Sequence, residues 1–238
     1  MHTKRVAFIT GANKGLGLEI ARQLGRQGVT VALGARDKAK ANEAADKLEG
    51  EGIDAHAVKL DVTNEVDIAA LPDFFKSKFG RLDILVNNAG IALDFGGVTM
   101  DTFRQTYETN VFAPYFITQA LLPLLKASPA GRIVNHSSIM GSMAAMGDSS
   151  SFPPEMIAPA YCSSKAALNM LTVTTARTLE GTNVKINAAH PGWVKTDMGS
   201  DRAPMEVVDG AKTAVALALL PDDGPTGGFF HLGEKLPW

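Results

Sequence analysis

The sequence predicts an α/β fold, a doubly wound parallel sheet in a single domain covering residues 1–238. Three observations carry this reading. Short apolar runs alternate with helical patterns along nearly the whole chain, which is the pattern of βαβ units. A glycine cluster, Gly11, Gly15 and Gly17, stands between the first apolar run and the first helical pattern. Thr10, Arg36, Asp61, Asn88, Ser138 and Pro191 all fall at or just past expected strand ends, where such sheets bind ligands.

Val6 to Ile9 is the first strand, and Leu16, Ile20 and Leu24 set the helical spacing of the segment after it. Val29 to Ala35 is apolar and β-branched, a second strand, and Ala39 to Leu48 is helical. Ala55 to Leu60 is a strand that ends at Asp61. Glu65 to Phe79 is helical, with Pro72 expected to break or restart it. Leu82 to Val86 is a strand running into Asn87-Asn88-Ala89-Gly90. Asp101 to Lys126 reads as one long helix kinked at Pro114 and Pro123. Arg132 to Asn135 is a strand that leads to Ser137-Ser138. Ala160 to Leu179 is helical, Val184 to Ala189 a strand, Val207 to Leu220 a helix and Gly227 to His231 a last strand. Met140 to Pro159 has no clear period and is expected to be a loop.

The composition excludes several classes of function. Of 238 residues, 45 % are hydrophobic and 20 % charged, a globular balance. A net charge of −2 gives no general attraction to nucleic acid or to an anionic membrane. A single cysteine, Cys162, cannot form an internal disulfide and fits a reducing compartment. No apolar run is long enough to span a bilayer, no signal peptide is legible, and the expected location is the cytoplasm. No metal-ligating cluster is expected.

The glycine turn is the first chemical signal. Its spacing is Gly-x-x-x-Gly-x-Gly. Glycine allows a sharp turn and close approach of a ligand, and the following helix start offers free N–H groups to a phosphate. A plain tight turn is the competing explanation. Arg36 and Lys14 suit a ribose 2′-phosphate, since positive charge just past the second strand is what such a group needs. Both are equally readable as solvated surface charges, and Asp37 could instead meet a ribose hydroxyl. Asp61 either accepts from an adenine amino group or starts the next helix. Asn87 and Asn88 either form a turn or hold neighbouring strands together beside the ligand.

Tyr161 and Lys165 stand four residues apart on an expected helix and share a face. A tyrosine pKa of roughly 10 is too high for efficient proton transfer at neutral pH. A nearby cation favours the phenolate and lowers it. Ser138 could hold a substrate oxygen beside the pair. For a lone Tyr-x-x-x-Lys without the glycine turn, chance spacing is the better explanation.

Taken together these motifs resemble the short-chain dehydrogenases/reductases over nearly the full length. The matching residues are Thr10-Gly11-x-x-x-Gly15-x-Gly17, Asn87-Asn88-Ala89-Gly90, Asn110, Ser137-Ser138, Tyr161-x-x-x-Lys165 and Pro191-Gly192, in family order. Gly11 to Gly17, Ala35-Arg36-Asp37 and Val134 to Met140 are similar to the monomeric carbonyl reductases in particular. The resemblance implies a Rossmann-type fold and NADPH as cofactor. It implies that Tyr161 protonates a carbonyl oxygen that Ser138 orients. Lys165 would hold the nicotinamide ribose and lower the Tyr161 pKa, and Asn110 would help hold a relay water. The implied cofactor-binding set is Gly11, Asn13, Lys14, Gly15, Leu16, Gly17, Arg36, Asp61, Val62, Asn88, Tyr161, Lys165, Pro191, Gly192, Val194 and Thr196.

The implied activity is NADPH-dependent reduction of a small aldehyde or ketone. An NAD(P)-dependent alcohol dehydrogenase, a dedicated biosynthetic ketoreductase and a non-catalytic NADPH sensor are the alternatives. Two features depart from the family pattern. The interval from Ser138 to Tyr161 carries an insertion at about 141–159, expected to border the substrate pocket and to leave a monomer or weak homodimer. Met140, Met143, Met146 and Met156 are candidate pocket residues there, with Phe95, Trp193 and Met198 elsewhere. His136 stands where a small apolar residue is more usual, and the sequence offers no function for it.

Overall fold

In a computed structural model, which describes residues 4–94, 97–153 and 156–238, five consecutive buried residues form the first strand, β1 (Val6–Thr10). β2 (Thr30–Ala35) is likewise buried throughout. Burial on both faces explains why these strands read as continuous apolar runs without alternation. The remaining strands are β3 (Ala55–Lys59), β4 (Ile84–Asn87), β5 (Arg132–His136), β6 (Lys185–Ala189), β7 (Phe229–His231) and β8 (Glu234–Lys235). The sheet order is β3-β2-β1-β4-β5-β6-β7-β8, parallel except for the final antiparallel pair.

The helices are α1 (Gly15–Arg26), α2 (Lys38–Gly50), α3 (Glu65–Phe79), α4 (Met100–Tyr107), α5 (Ala113–Ala127), α6 (Met143–Gly147), α7 (Pro159–Thr178) and α8 (Val207–Ala218). They cover both faces of the sheet. On one face Ile9, Val31 and Leu33 pack with Ile20 and Leu24 of α1 and with Ala211 and Ala214 of α8. On the other, Phe8, Leu85 and Ile133 pack with Leu71 and Phe75 of α3 and Ile117, Leu121 and Leu125 of α5. No helix among the described residues is long and apolar enough to cross a membrane.

Register brings Thr10 level with Gly34, Asn87 with Asn135, and His136 with Ala189. The carboxyl ends of the central strands therefore form one edge. The chain reverses its direction of travel there, because β1 lies between β2 and β4. A crevice at that point is the expected ligand position in an open α/β sheet.

The structure corrects four local expectations. Pro72 does not break α3, which continues through it; buried Leu71 and Phe75 hold the turns on either side against the core. The segment expected as one kinked helix is divided by a π-helical turn, Glu108–Phe112, between α4 and α5. Pro114 enters at the start of α5 and Pro123 lies inside it without ending it. The stretch expected as a loop contains a 3₁₀ turn, Ile139–Gly141, and the short helix α6. A final strand, β8, was not expected from the sequence.

Candidate active site

The glycine turn is built by contacts that differ from one glycine to the next. Gly11 has φ +63° and a Cβ there would lie 3.0 Å from Ala89 Cα. A Cβ on Gly17 would meet Asn88 Nδ2 and the Gly11 carbonyl at 2.5 Å. These two glycines are required by internal packing. Gly15 has φ +55°, and its nearest neighbour would be Thr196 Cγ2 at 3.8 Å. At Gly15 the left-handed backbone is the constraint, and the glycine borders open space. Lys14 precedes α1 without a side-chain cap, so the first N–H groups of the helix lack one, and the positive end of its dipole faces the cleft.

Thr10 ties this turn to the end of β4. Its Oγ1 accepts from the main-chain N–H of Asn88 and of Ala89, both at 3.0 Å. The Asn88 side chain donates through Nδ2 to the carbonyls of Thr10 and Gly11 at 2.9 and 3.2 Å. Its Oδ1 faces His136 Nδ1 at 2.8 Å. The side chain of Asn88 thus works inside the protein. Asn87 joins the strands below: its Nδ2 donates to Asn135 Oδ1 at 2.9 Å and Thr118 Oγ1 at 3.1 Å. Asn135 in turn donates to Thr172 Oγ1 at 2.9 Å. This buried chain fastens α5 and α7 to the sheet.

A cleft of about 960 Å³ opens along the carboxyl edge. It is lined by Gly11, Asn13, Lys14, Gly15, Leu16, Gly17, Arg36, Asp61, Val62, Asn88, Tyr161, Lys165, Pro191 and Thr196, all expected from the sequence. Asn110, Ser138, Gly192 and Val194 were expected too and lie behind this surface. Gly192 has φ +90° and a Cβ there would lie 2.8 Å from Met205 Sδ. Val194 is buried and pairs with Met205. Both shape the segment that carries Thr196, but their side of the chain faces inward.

At one end of the cleft Arg36 makes no ion pair among the described residues. Lys14 is paired with Asp197. Asp37 caps α2 by accepting from Ala39 and Lys40 through Oδ1, and it does not line the cleft. Asp61 lines the cleft and also closes a local turn, accepting from the N–H and hydroxyl of Thr63. The cap of α3 is Asn64 instead.

At the other end the first turn of α7 presents Tyr161. Ser138 stands beside its phenol and favours the phenolate, and burial outweighs it, pushing the phenol up to about 12. Lys165 Nζ lies 5.7 Å from the Tyr161 ring centre and donates to the His136 carbonyl at 2.8 Å. Burial pushes Lys165 down to about 8. The expected lowering of the tyrosine pKa by Lys165 is therefore not what this arrangement gives: desolvation dominates, and the ammonium is drawn towards the carbonyl. Asn110, fully buried in the π-helical turn, accepts from Ile91 N–H at 2.9 Å and donates to Ile91 O and Ser164 Oγ. Its side chain is occupied. Its main-chain carbonyl stands four residues before Pro114, which has no N–H to give it.

Sequence reasoning missed Ile91, Leu93, Arg104, Gln105, Glu108 and Thr109, which line the cleft from the β4–α4 connection, α4 and the π-helical turn. Cleft-lining residues 104, 105, 108 and 109 share one helical face, but no motif marks that face. His136 lines the cleft as well. The insertion does not: none of its described residues contributes to the lining, and Met143 is exposed. The 3₁₀ turn packs back on α7, with Asn169 Nδ2 donating to Gly141 O at 3.1 Å, and carries the insertion away. Of the other candidate pocket residues, Met198 lines the cleft, Trp193 does not, and Phe95 lies outside the described residues.

A parallel sheet with a glycine turn at its switch point, and a Ser-Tyr-Lys group along the same edge, defines a dinucleotide-dependent oxidoreductase architecture. The family model for short chain dehydrogenase matches residues 5–207. Short-chain dehydrogenase/reductase 1 of Saponaria officinalis is 36 % identical, with 99 % of this chain and 96 % of that protein covered. Carbonyl reductase (NADPH) 1 of Mus musculus is 35 % identical over 99 % of each. The crystal structure of NADPH-bound carbonyl reductase from chicken fatty liver is 30 % identical, covers 99 % of each chain and superposes with a TM-score of 0.86. The chain belongs to the short-chain dehydrogenase/reductase family, and it is an oxidoreductase resembling the carbonyl reductases.

Proposed function

We propose that the protein is an NADPH-dependent reductase of small aldehydes or ketones. The observation that carries this reading is that Tyr161 and Lys165, with Ser138 just behind the phenol, stand at one end of a cleft whose other end holds the glycine turn and Arg36. The residues fit a dinucleotide: Gly15 leaves open space that a Cβ would enter, and the uncapped start of α1 offers N–H donors to a diphosphate. Arg36 is the available partner for a 2′-phosphate, and Lys14 joins it on release from Asp197. Asp61 and Val62 would border the adenosine, and Thr196 and the Val194 main chain the carboxamide.

The cofactor, when bound, supplies the hydride. The chain supplies the rest. Ser138 fixes the substrate oxygen through its hydroxyl. Tyr161 donates its proton to that oxygen as charge develops, and a phenol pushed up to about 12 holds this proton throughout neutral pH. Lys165, held at the His136 carbonyl, is the cation that would hold the nicotinamide ribose. The main-chain carbonyl of Asn110 would anchor a water linking Lys165 to solvent. We place the protein in the cytoplasm as a monomer or weak homodimer.

The test is cofactor consumption with a panel of carbonyl compounds, run with NADPH and with NADH. Turnover with NADPH on at least one aldehyde or ketone supports the reading. Fluorescence enhancement on NADPH binding without turnover on any of them would favour a sensor. Equal turnover with both cofactors would remove the phosphate argument.

A further inference from the structure

An ion pair joins two walls of the cleft. Lys14 Nζ, in the glycine turn, pairs with Asp197 Oδ2. Lys14 follows β1 and Asp197 follows β6, and β4 and β5 stand between those strands in the sheet. The segment after β6 therefore returns across the carboxyl edge to reach the turn. A second contact agrees: a Cβ on Gly15 would meet Thr196 Cγ2 at 3.8 Å. Lys14, Gly15, Thr196 and Asp197 all line the cleft.

The other bonds of this segment close it on itself. Trp193 Nε1 donates to Gly199 O at 2.7 Å, Gly199 N–H to Thr196 Oγ1 at 3.1 Å and Ser200 N–H to Thr196 O at 2.9 Å. Lys195 N–H donates to Met205 O at 2.9 Å, and its ammonium is paired with Glu206. Among the described residues, Lys14–Asp197 is the one ion pair or hydrogen bond that joins residues 193–205 to the glycine turn. The ammonium holds the Asp197 carboxyl below the usual carboxylate range, so the pair is fully charged at working pH.

Lys14 stands directly before the N–H groups that open α1, on the turn suited to phosphate. A phosphate and a carboxylate are rivals for one ammonium. With side chains 68 % and 80 % exposed, the existing pair is weak. A phosphate can displace it, and the displacement subtracts from phosphate binding.

We propose that Asp197 is a specificity-determining residue that acts against the 2′-phosphate by competing with it for Lys14. The inference rests on the dinucleotide reading above. Binding of a 2′-phosphorylated dinucleotide exchanges the Lys14–Asp197 pair for a Lys14–phosphate pair. Binding of an unphosphorylated one leaves Lys14 on Asp197. Asp197 thus lowers a preference for NADPH that Arg36 and Lys14 set.

The test is fluorescence titration of NADPH and NADH against the full-length protein, Asp197→Asn, Lys14→Met and the double variant. Low ionic strength is used, where exposed pairs are strongest. Both side chains are exposed, so neither substitution threatens the fold. Asp197→Asn binds NADPH about two- to fivefold more tightly, the range spanned by an exposed ion pair, and NADH as before. In the Lys14→Met background the same change gives no gain. An NADPH Kd unchanged or raised in Asp197→Asn overturns the proposal. A gain that persists without Lys14 overturns it too, since it would report only the general field of a removed charge. An equal gain for NADH would place the rivalry at the diphosphate and overturn the assignment to the 2′-phosphate. Failure of the natural protein to bind either nucleotide would instead overturn the dinucleotide reading.

Discussion

The carboxylate of Asp94 closes the helix that carries Tyr161, accepting the main-chain N–H of Ala160 at 2.7 Å. It also receives the N–H of Tyr161 at 3.4 Å. Ala158, at the N-cap position of α7, has no side chain that could do this. Asp94 therefore caps α7 from the β4–α4 connection and sets the first turn on which the phenol stands. Negative charge at a helix N-terminus adds to the effect. Removing a cap costs about 0.5–2 kcal/mol. Asp94→Ala is expected to lower Tm by roughly 1–8 °C for a domain of this size and to reduce kcat more than it raises KM. Asp94→Asn keeps an acceptor oxygen and recovers most of both. Thermal melts beside steady-state kinetics check this, and a kcat unchanged in Asp94→Ala would remove Asp94 from the positioning of Tyr161.

Arg36 is expected to set cofactor choice. Arg36 lines the cleft just past β2 and Asp37, the cap of α2, does not. Arg36→Asp should reverse or erase the preference for NADPH over NADH, since charge-assisted contacts to phosphate contribute about twice a neutral hydrogen bond. Kd values for both cofactors, measured by fluorescence on both proteins, decide it. A natural protein that binds NADH as well as NADPH contradicts the assignment.

Tyr161→Phe is expected to remove nearly all turnover and leave cofactor affinity within a few-fold. General acids contribute roughly 10²-fold or more, and the ring remains to pack. More than about a tenth of the activity retained would point to another proton donor. The pH profile follows from the same residue. With the phenol up at about 12 and Lys165 down at about 8, reduction holds through neutral pH and weakens above about 8 as Lys165 loses its charge. Alcohol oxidation needs the phenolate, so its rate climbs from pH 7 towards 8. Initial rates in both directions across this range test the pair.

Acid should destabilise the fold before the carboxylates titrate. His136 and His190 are pushed down to about 3 and about 4 by burial, below the unfolded value of about 6.5. The unfolded chain therefore binds more protons between those limits, and stability falls as pH drops from 6.5 towards 4. The loss is on the order of a few kcal/mol by the linkage of pKa to stability. Urea unfolding at pH 7 and pH 5 measures it. His136→Leu should flatten the dependence, and an equally steep slope in that variant would assign the effect elsewhere.

Much of this molecule was legible in the sequence because its signals are local. Apolar runs bounded by glycine gave the strands, and the shared placement of Thr10, Asp61 and Asn88 at strand ends gave the cleft. Fourteen of the expected site residues line it, because each lies within a few positions of a strand end or on one helix face. What was missed depends on contacts distant in sequence. Asp94 caps a helix that begins 65 positions later, and no spacing rule joins them. Which His136 nitrogen carries the proton depends on which end of the Asn88 amide meets the glycine turn. The sign of the Tyr161 pKa shift is a competition between burial and a nearby cation, and motif spacing states neither the depth of one nor the direction of the other. The π-helical turn arises where Pro114 removes a donor beside Asn110, a conflict that hydrophobic periodicity does not register.

Trp238 fastens the insertion, and its loss should separate stability from cofactor binding. Its ring stacks on Phe229 of β7, with centroids 5.6 Å apart and planes 11° from parallel. Its carbonyl accepts the N–H of Ala144 at 2.9 Å in the first turn of α6. The insertion is thus tied to the far end of the sheet and not folded over the cleft. An aromatic pair of this kind contributes about 0.5–1.5 kcal/mol beyond the area it buries. Trp238→Ala leaves the carbonyl in place but removes the ring that holds it. The expected result is a lower Tm and faster proteolysis at residues 143–153, with NADPH affinity unchanged within a few-fold. Limited proteolysis, melting curves and fluorescence titration on the same preparation test this. A large loss of NADPH affinity in Trp238→Ala would mean that the insertion reaches the cleft after all.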